Sequence, residues 1–256
     1  MQAYYLPILV LGVPMVLCEP ALAQGGPPYY TNDTATPGSH SWEINVGYMP
    51  FLYATQSTSH LPDLDINYGI GARIQLTYEN AWLRVGEGAR AAKYGLGQDQ
   101  IGVKFRFVDN EKAGFAIATF PQVSVNNPND SVVRGITPRG ASLIVPFEFT
   151  KQLRSINVNW EVGYNLVHLG PQGWIAGIVA GHDVSKRFQV DAELYGLGTF
   201  NLSNNQQTLG VGSRYKLHPL CTLLLMAGRS VATAHNGQPF FVGYFGIQFQ
   251  LPPKPF

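Results

Sequence analysis

The sequence predicts an all-β fold, a transmembrane up-and-down antiparallel β-barrel of about twelve strands. Three observations predict it: apolar and polar side chains alternate along many segments, long and short connections alternate, and charged residues are scarce. The clearest alternation runs through Asp63–Tyr78, where even positions are apolar and odd positions are polar or glycine. Because strand side chains alternate between two faces, one face would meet lipid and the other water inside a barrel.

Twelve segments carry this alternation and are predicted as strands. Ser155–Val167 is nearly as regular as the first segment, whereas Ala81–Gly86, Gly173–Gly181 and Leu220–Gly228 are the least regular. In chain order the predicted strands are Ser41–Leu52, Asp63–Tyr78, Ala81–Gly86, Asp99–Val108, Ala113–Val125, Ala141–Thr150, Ser155–Val167, Gly173–Gly181, Arg187–Gly196, Thr208–Leu217, Leu220–Gly228 and Pro239–Leu251.

The connections between these strands alternate in length. The predicted long loops are 53–62, 87–98, 126–139, 168–172, 199–206 and 230–239, and the predicted short turns are 79–80, 109–112, 151–154, 183–186 and 218–219. Bacterial outer-membrane barrels sort their connections in this way, with short periplasmic turns and longer outer loops. An even number of strands would leave both chain ends on the periplasmic side.

The composition excludes several classes of protein. Charged residues make up 13% of the chain, and the formal net charge is +1, so no nucleic-acid partner is expected. Mean hydropathy is −0.01, which is unlike a bundle of membrane helices. In a membrane barrel, apolar and polar residues alternate along each strand, so the mean hydropathy stays close to zero although one face is apolar. The 28 glycines and the 27 Tyr and Phe residues are also typical of such a barrel.

The N-terminus divides into two segments before the barrel. Residues 1–23 are predicted to be a signal peptide, because an apolar stretch is followed by the small-x-small pattern Ala21-Leu22-Ala23. Residues 24–40 are rich in Gly, Pro and Thr, and they predict a flexible leader. The alternative is that this leader enters the pore as a plug. Residues 41–256 are assigned to the outer-membrane barrel.

No motif of an enzyme is present. The sequence has no P-loop, GxSxG, HExxH or CxxC pattern, so we predict no catalytic residue, no metal and no cofactor. The six histidines are spread over loops, turns and strand ends. An outer-membrane enzyme that acts on lipids, and a barrel that binds ligands or has a structural role without transport, are the alternative hypotheses.

Charged residues in the polar frame of the strands are the candidate lumen-lining residues. The acidic candidates are Glu43, Asp65, Glu148, Glu161, Asp191 and Glu193, and the basic ones are Arg73, Lys104, Arg106, Arg214 and Lys216. Six acids against five bases predict little charge selectivity. These side chains would either line a hydrated path or form ion pairs that stabilise the wall. Twelve strands enclose a narrow lumen, so we expect both, with ion pairs around a restricted path.

A known family matches part of this pattern. The run Gly95–Val125 resembles the outer-membrane channels labelled "MetA pathway of phenol degradation". The matching positions are Gly95, Gly97, Asp99, Gly102, Lys104, Arg106, Phe107 and Pro121. The resemblance implies a channel for small solutes, hydrophobic or aromatic ones included, and it implies no catalytic residues.

The predicted function is therefore passive passage of small solutes through a barrel in the bacterial outer membrane. The expected partners are outer-membrane lipid, the barrel-assembly machinery during insertion, and a small-molecule solute. Loops 87–98 and 126–139 are the candidate gates.

Overall fold

The computed structural model of the chain describes residues 26–126, 129–201, 205–231 and 238–253. The predicted signal peptide therefore lies outside the described residues. The elements are β1 (Trp42–Leu52), β2 (Gln56–Ile70), β3 (Ile74–Glu87), β4 (Lys93–Leu96), β5 (Gln98–Asn110), β6 (Phe115–Thr119), β7 (Gln122–Asn126), α1 (Asp130–Val133), β8 (Ser142–Leu153), β9 (Ile156–Val167), β10 (Gly173–Ser185), β11 (Phe188–Thr199), β12 (Gln206–His218), β13 (Cys221–Ser230) and β14 (Phe241–Leu251).

These segments form a closed antiparallel barrel of twelve strands, which confirms the predicted fold class. β4 and β5 both pair with β3 and make one interrupted strand. β6 and β7 both pair with β5 and β8 and make another. β1 pairs with β14 and closes the sheet on itself, so no strand edge stays open. Among the described residues, no helix is long and apolar enough to cross a membrane.

The two faces of the wall differ as the alternation predicted. On β9, Asn159 and Glu161 are buried inside the barrel. Val162, the next residue on the same strand, faces outward and is 61% exposed. The same alternation repeats around the wall, with exposed Leu, Val, Ile and aromatic side chains outside and buried polar side chains inside. An apolar outside and a polar inside are the arrangement of barrels that stand in lipid.

The segment Asp63–Tyr78 is a hairpin and not one strand, which corrects the sequence prediction. β2 ends at Ile70 and β3 begins at Ile74. The predicted turn at residues 79–80 is wrong for the same reason, since both residues lie inside β3. Ile70 is directly opposite Ile74, so both face the same side. A three-residue turn separates them, and an odd number keeps the alternation in phase across the hairpin. Gly71 provides the positive φ, +61°, in this turn.

The connections sort to the two ends of the barrel. The short ones, 71–73, 111–114, 154–155, 186–187 and 219–220, lie at one end together with the start of β1 and the end of β14. We call this the turn end and the opposite one the loop end. The longest connection at the loop end, 127–141, includes α1. Long and short connections alternate as predicted, but three positions differ: the first loop is only residues 53–55, the turn predicted at 79–80 lies at 71–73, and the loop predicted at 87–98 contains β4.

The strand that resembles the channel family has a local interruption. Phe120 is buried between β6 and β7, and its ring lies where a Cβ at Gly102 would stand. Pro121 follows and has no N–H for the strand ladder, which explains the break between β6 and β7. The interruption turns the Phe120 ring into the lumen.

Candidate functional site

Residues 26–37, which we call the plug, lie inside the barrel. The sequence predicted a flexible leader here, whereas the structure buries Tyr29, Thr31, Asp33 and Thr34 between the walls. Composition pointed to flexibility because this segment has no periodicity of its own. Its partners come from distant strands, and such partners are invisible to a local pattern.

The plug enters from the turn end and folds back on itself. Near that end the Thr36 hydroxyl donates to the carbonyl of Ala72, 3.2 Å away. Deeper in the lumen the chain reverses, and the Gly26 N–H donates to the Thr31 carbonyl at 2.9 Å. Arg214 on β12 then donates to the Gly26 carbonyl at 3.3 Å. The plug is therefore a re-entrant loop held by its own turn and by the wall.

Two wall carboxylates accept hydrogen bonds from the plug backbone. The Thr31 N–H donates to Glu193 Oε1 at 2.7 Å, and the Asn32 N–H donates to Glu161 Oε2 at 2.9 Å. Backbone donors buried away from water are costly when unpaired, and bonds to carboxylates are among the stronger hydrogen bonds in proteins. Glu161 and Glu193 thus supply the partners that a loop inside a barrel needs.

Lys104 joins the plug to the wall from the other side. Its Nζ lies 3.5 Å from Glu148 and 3.7 Å from Asp33, and it also donates to the Asp33 carbonyl. The Phe120 ring lies under it, with 4.8 Å from Nζ to the centroid. Glu148 is 0% exposed, so this lysine neutralises a carboxylate that water does not reach.

Tyr29 contacts the third part of the wall. Its hydroxyl donates to Asp191 Oδ2 at 3.2 Å, and the Arg214 guanidinium lies 5.8 Å from its ring centroid. Burial, and next the negative charge of Asp191, raise the pKa of Tyr29 well above its usual range. A phenol is protonated at neutral pH in any case, and the raised pKa keeps this hydroxyl a donor in alkaline solution as well.

A small substitution under the plug tests these contacts. A Cβ at Gly177 would overlap Thr31 Oγ1, so Gly177→Ala is expected to push the plug away from the wall. We expect amide hydrogen exchange in residues 29–37 to rise by about tenfold, as local opening becomes easier. Gly210→Ala is the matched control, because the nearest atom to its Cβ is 3.4 Å away. Equal exchange in both variants would contradict this packing.

A cavity of about 480 Å³ remains beside the plug. It lies between the plug and the wall of β1, β2 and β3, and we call it the passage. Its lining includes Glu43, Asp65, Glu79, Tyr244 and Tyr30. The plug's hydrogen bonds go mainly to β8, β9, β11 and β12, so the side of the lumen along β1–β3 is the less filled one.

Most of the predicted lumen residues lie inside the barrel. The buried ones are Asp65, Lys104, Glu148, Glu161, Asp191, Glu193 and Arg214. Glu43 is half-buried and lines the passage. The structure brings Lys104 and Glu148 together, whereas Glu161, Glu193 and Asp191 meet the plug instead of one another.

Three predicted basic residues lie elsewhere, which corrects the sequence analysis. Arg73 is exposed in the turn between β2 and β3, because the predicted strand is a hairpin. Lys216 has the inward parity but is exposed near the turn end of β12. Arg106 is half-buried at the turn end of β5, where it contacts Asp109 at 3.2 Å and the Ala72 carbonyl at 2.6 Å.

The buried charges of the lumen are therefore mostly acidic, unlike the even balance that was predicted. The buried acids are Asp33, Asp65, Glu148, Glu161, Asp191 and Glu193, and the buried bases are Lys104 and Arg214. Sequence reasoning missed Asp33 and Glu79, since one was assigned to a flexible leader and the other to a turn. The length of the segment Asp63–Tyr78, far above that of a usual strand, was the signal that could have revealed Glu79.

Solved structures show what this fold resembles. The COG4313 outer membrane channel from Pseudomonas putida F1 superposes with a TM-score of 0.68 at 12% identity, over 86% of this chain and 97% of that one. The KdgM porin gives 0.57 at 11% identity, over 80% and 98%, and the NanC porin gives 0.54 at 8%, over 82% and 99%. No protein-family model and no curated protein matches the sequence. At these identities the likeness establishes the fold, which is that of outer-membrane barrels.

Proposed function

We propose that the protein is a passive channel of the bacterial outer membrane for small polar solutes, and that the passage is its route. The observation that carries this proposal is a cavity with carboxylates, amides and tyrosines in its lining, inside a closed wall whose outer surface is apolar. Solutes would diffuse down their gradient along β1–β3, where carboxylates, amides and tyrosines can replace part of their hydration. Outer-membrane lipid would cover the outer face, and the barrel-assembly machinery would insert the chain.

The carboxylates in the lining favour polar solutes over the hydrophobic or aromatic ones that the family resemblance implied. Glu43, Asp65 and Glu79 face the passage. An apolar solute beside them would displace water from these carboxylates and would offer no hydrogen bond in its place, which is unfavourable. The plug narrows the lumen, so we expect a low permeability with a sharp limit on solute size.

Vesicle swelling tests the proposal. The purified chain, reconstituted in vesicles, is expected to admit glycerol and small sugars and to exclude large oligosaccharides, relative to protein-free vesicles. Migration on gels that changes on heating, and fractionation with outer membranes, are expected alongside. Recovery of a folded soluble monomer without detergent would contradict the membrane location. Absence of swelling with every solute, both for the full chain and for a chain without the plug, would contradict the channel.

A further inference from the structure

The wall of the passage holds acidic side chains that face one another. Asp65 on β2 is directly opposite Glu79 on β3, and both point inward. Asn45 on β1 is opposite Asp65 on its other side, with Glu43 two positions earlier on the same strand. Like charges in direct cross-strand register repel each other, so this arrangement is unfavourable without a positive charge between them.

The hydrogen bonds that hold these carboxylates come from neutral amides. Asn45 and Asn67 donate to the two oxygens of Asp65 at 3.0 and 2.8 Å, and Gln100 donates to Glu79 at 3.0 Å. Within the described part of the chain, no Lys, Arg or His lies within ion-pair distance of Asp65 or Glu79.

The two buried cations of the lumen are engaged elsewhere. Lys104 contacts Asp33 and Glu148, and Arg214 contacts the carbonyl of Gly26 in the plug. Lys104 also lines the passage, but its ion pairs are with Asp33 in the plug and Glu148 on β8, and not with Asp65 or Glu79. Asp65 and Glu79 are therefore the part of the passage wall that has no ion pair within the described residues, and they can receive a cation from solution.

A second observation points to a ligand at the same place. Tyr244 lines the passage and is 4% exposed, yet its hydroxyl has no hydrogen-bond partner among the described residues. Its ring reaches over Gly246 and Gly47, and Gly47 is opposite Asp63, the inward neighbour of Asp65 on β2. Asn45 Oδ1 is also unpartnered, in a residue that is 0% exposed. Buried polar atoms in native proteins nearly always have partners, so the Tyr244 oxygen, which lies at the passage, indicates a donor that comes from outside the chain.

The chemistry of the acceptor groups at the passage indicates which kind of donor they bind. These groups are a carboxylate pair without an ion pair and a phenol oxygen without a partner among the described residues, all of which accept hydrogen bonds from a cation. The described residues contain no group of three His, Cys, Asp or Glu spaced to hold a metal ion. An ammonium group donates three hydrogen bonds and bridges wider spacings than a metal does. Tyr30 and Tyr195, whose rings stack at 5.1 Å, line the same passage and suit the carbon part of such a solute.

We infer that the passage binds a small organic cation with a primary ammonium group, held by Asp65 and Glu79 and by the hydroxyl oxygen of Tyr244. This inference rests on the proposed channel function, because it names the solute class for that route. The cavity of about 480 Å³ lies within the range of small-molecule sites.

Calorimetric titration of the detergent-solubilised full chain with n-butylammonium tests the inference. We expect saturable binding of n-butylammonium and no binding of n-butanol, which has a similar size without the charge. Glu79→Gln and Asp65→Asn are each expected to weaken binding about tenfold, as the loss of one charge-assisted hydrogen bond does. Tyr244→Phe keeps the ring over the two glycines and is expected to weaken binding by a smaller factor. Glu87→Gln is the control, since Glu87 is near the loop end and pairs with exposed Arg90.

Each outcome separates this inference from the channel function. A barrel that conducts but does not bind n-butylammonium, because Asp65 and Glu79 share a proton instead, overturns the inference and leaves the channel. A barrel that binds n-butylammonium but lets no solute through overturns the channel and leaves the site. Sodium could bind as tightly as n-butylammonium, or Glu87→Gln could weaken binding as much as Asp65→Asn and Glu79→Gln do. Either result would mean that the barrel attracts cations in general, and it would also overturn the inference. If the carboxylate variants do not fold, as gel migration would show, Tyr244→Phe decides.

Discussion

Deletion of residues 26–37 is expected to raise the single-channel conductance of the reconstituted barrel at least about twofold. The plug fills the side of the lumen along β8, β9, β11 and β12, and without it water can occupy the full section of a twelve-stranded barrel. The wall should survive, because closure depends on the pairing of β1 with β14 and not on the plug. Single-channel recordings in planar bilayers measure the change.

A reversible cross-link provides the matched control for this deletion. The hydroxyls of Thr34 in the plug and Thr150 on β8 are 2.9 Å apart, so Thr34→Cys with Thr150→Cys places two thiols side by side. We expect the oxidised and the reduced variant both to keep the low conductance of the full chain, because the cross-link fixes the plug where it already lies. A deletion variant that folds but conducts like the full chain would show that residues 26–37 do not restrict the pore.

Val162→Arg is expected to lower the free energy of unfolding in a lipid bilayer by roughly 2–4 kcal/mol, the cost of a charge that faces lipid at mid-membrane. Val162 lies near the middle of β9, points outward and is 61% exposed, between outward Phe147 on β8 and Ala176 on β10. Urea titration of the barrel folded in vesicles measures the difference.

Leu169→Arg is the control for the substitution of Val162. Leu169 is 59% exposed in the connection 168–172 at the loop end, where an added charge meets water. We expect its effect to be small. If both substitutions changed stability equally little, the outer face of the barrel would be in contact with water, and the membrane assignment would be wrong.

Several features of this fold could be read from local patterns. On Ser155–Val167 the alternation predicted which side chains face in, and Glu161 lies inside as expected. The sorting of long and short connections also followed from local composition, because turns need glycine and polar residues wherever they occur. The hairpin at residues 71–73 escaped detection because an odd turn preserves the alternation, and that error displaced Arg73 and hid Glu79.

The sequence by itself determined the class of fold. Apolar and polar residues alternate with a period of two over many segments, and charged residues are few, so closing these strands into a barrel gives an apolar outside and a polar inside. It also determined the polar frame in which Asp65, Lys104, Glu148 and Glu193 lie. Only the tertiary structure decided where residues 26–37 go and which inward charges meet. Those contacts join residues more than one hundred positions apart, such as Thr31 with Glu193 and Asn32 with Glu161, and they depend on closure of the barrel. A local pattern carries no information on distances across a closed lumen, and the acidic side of the passage arises there.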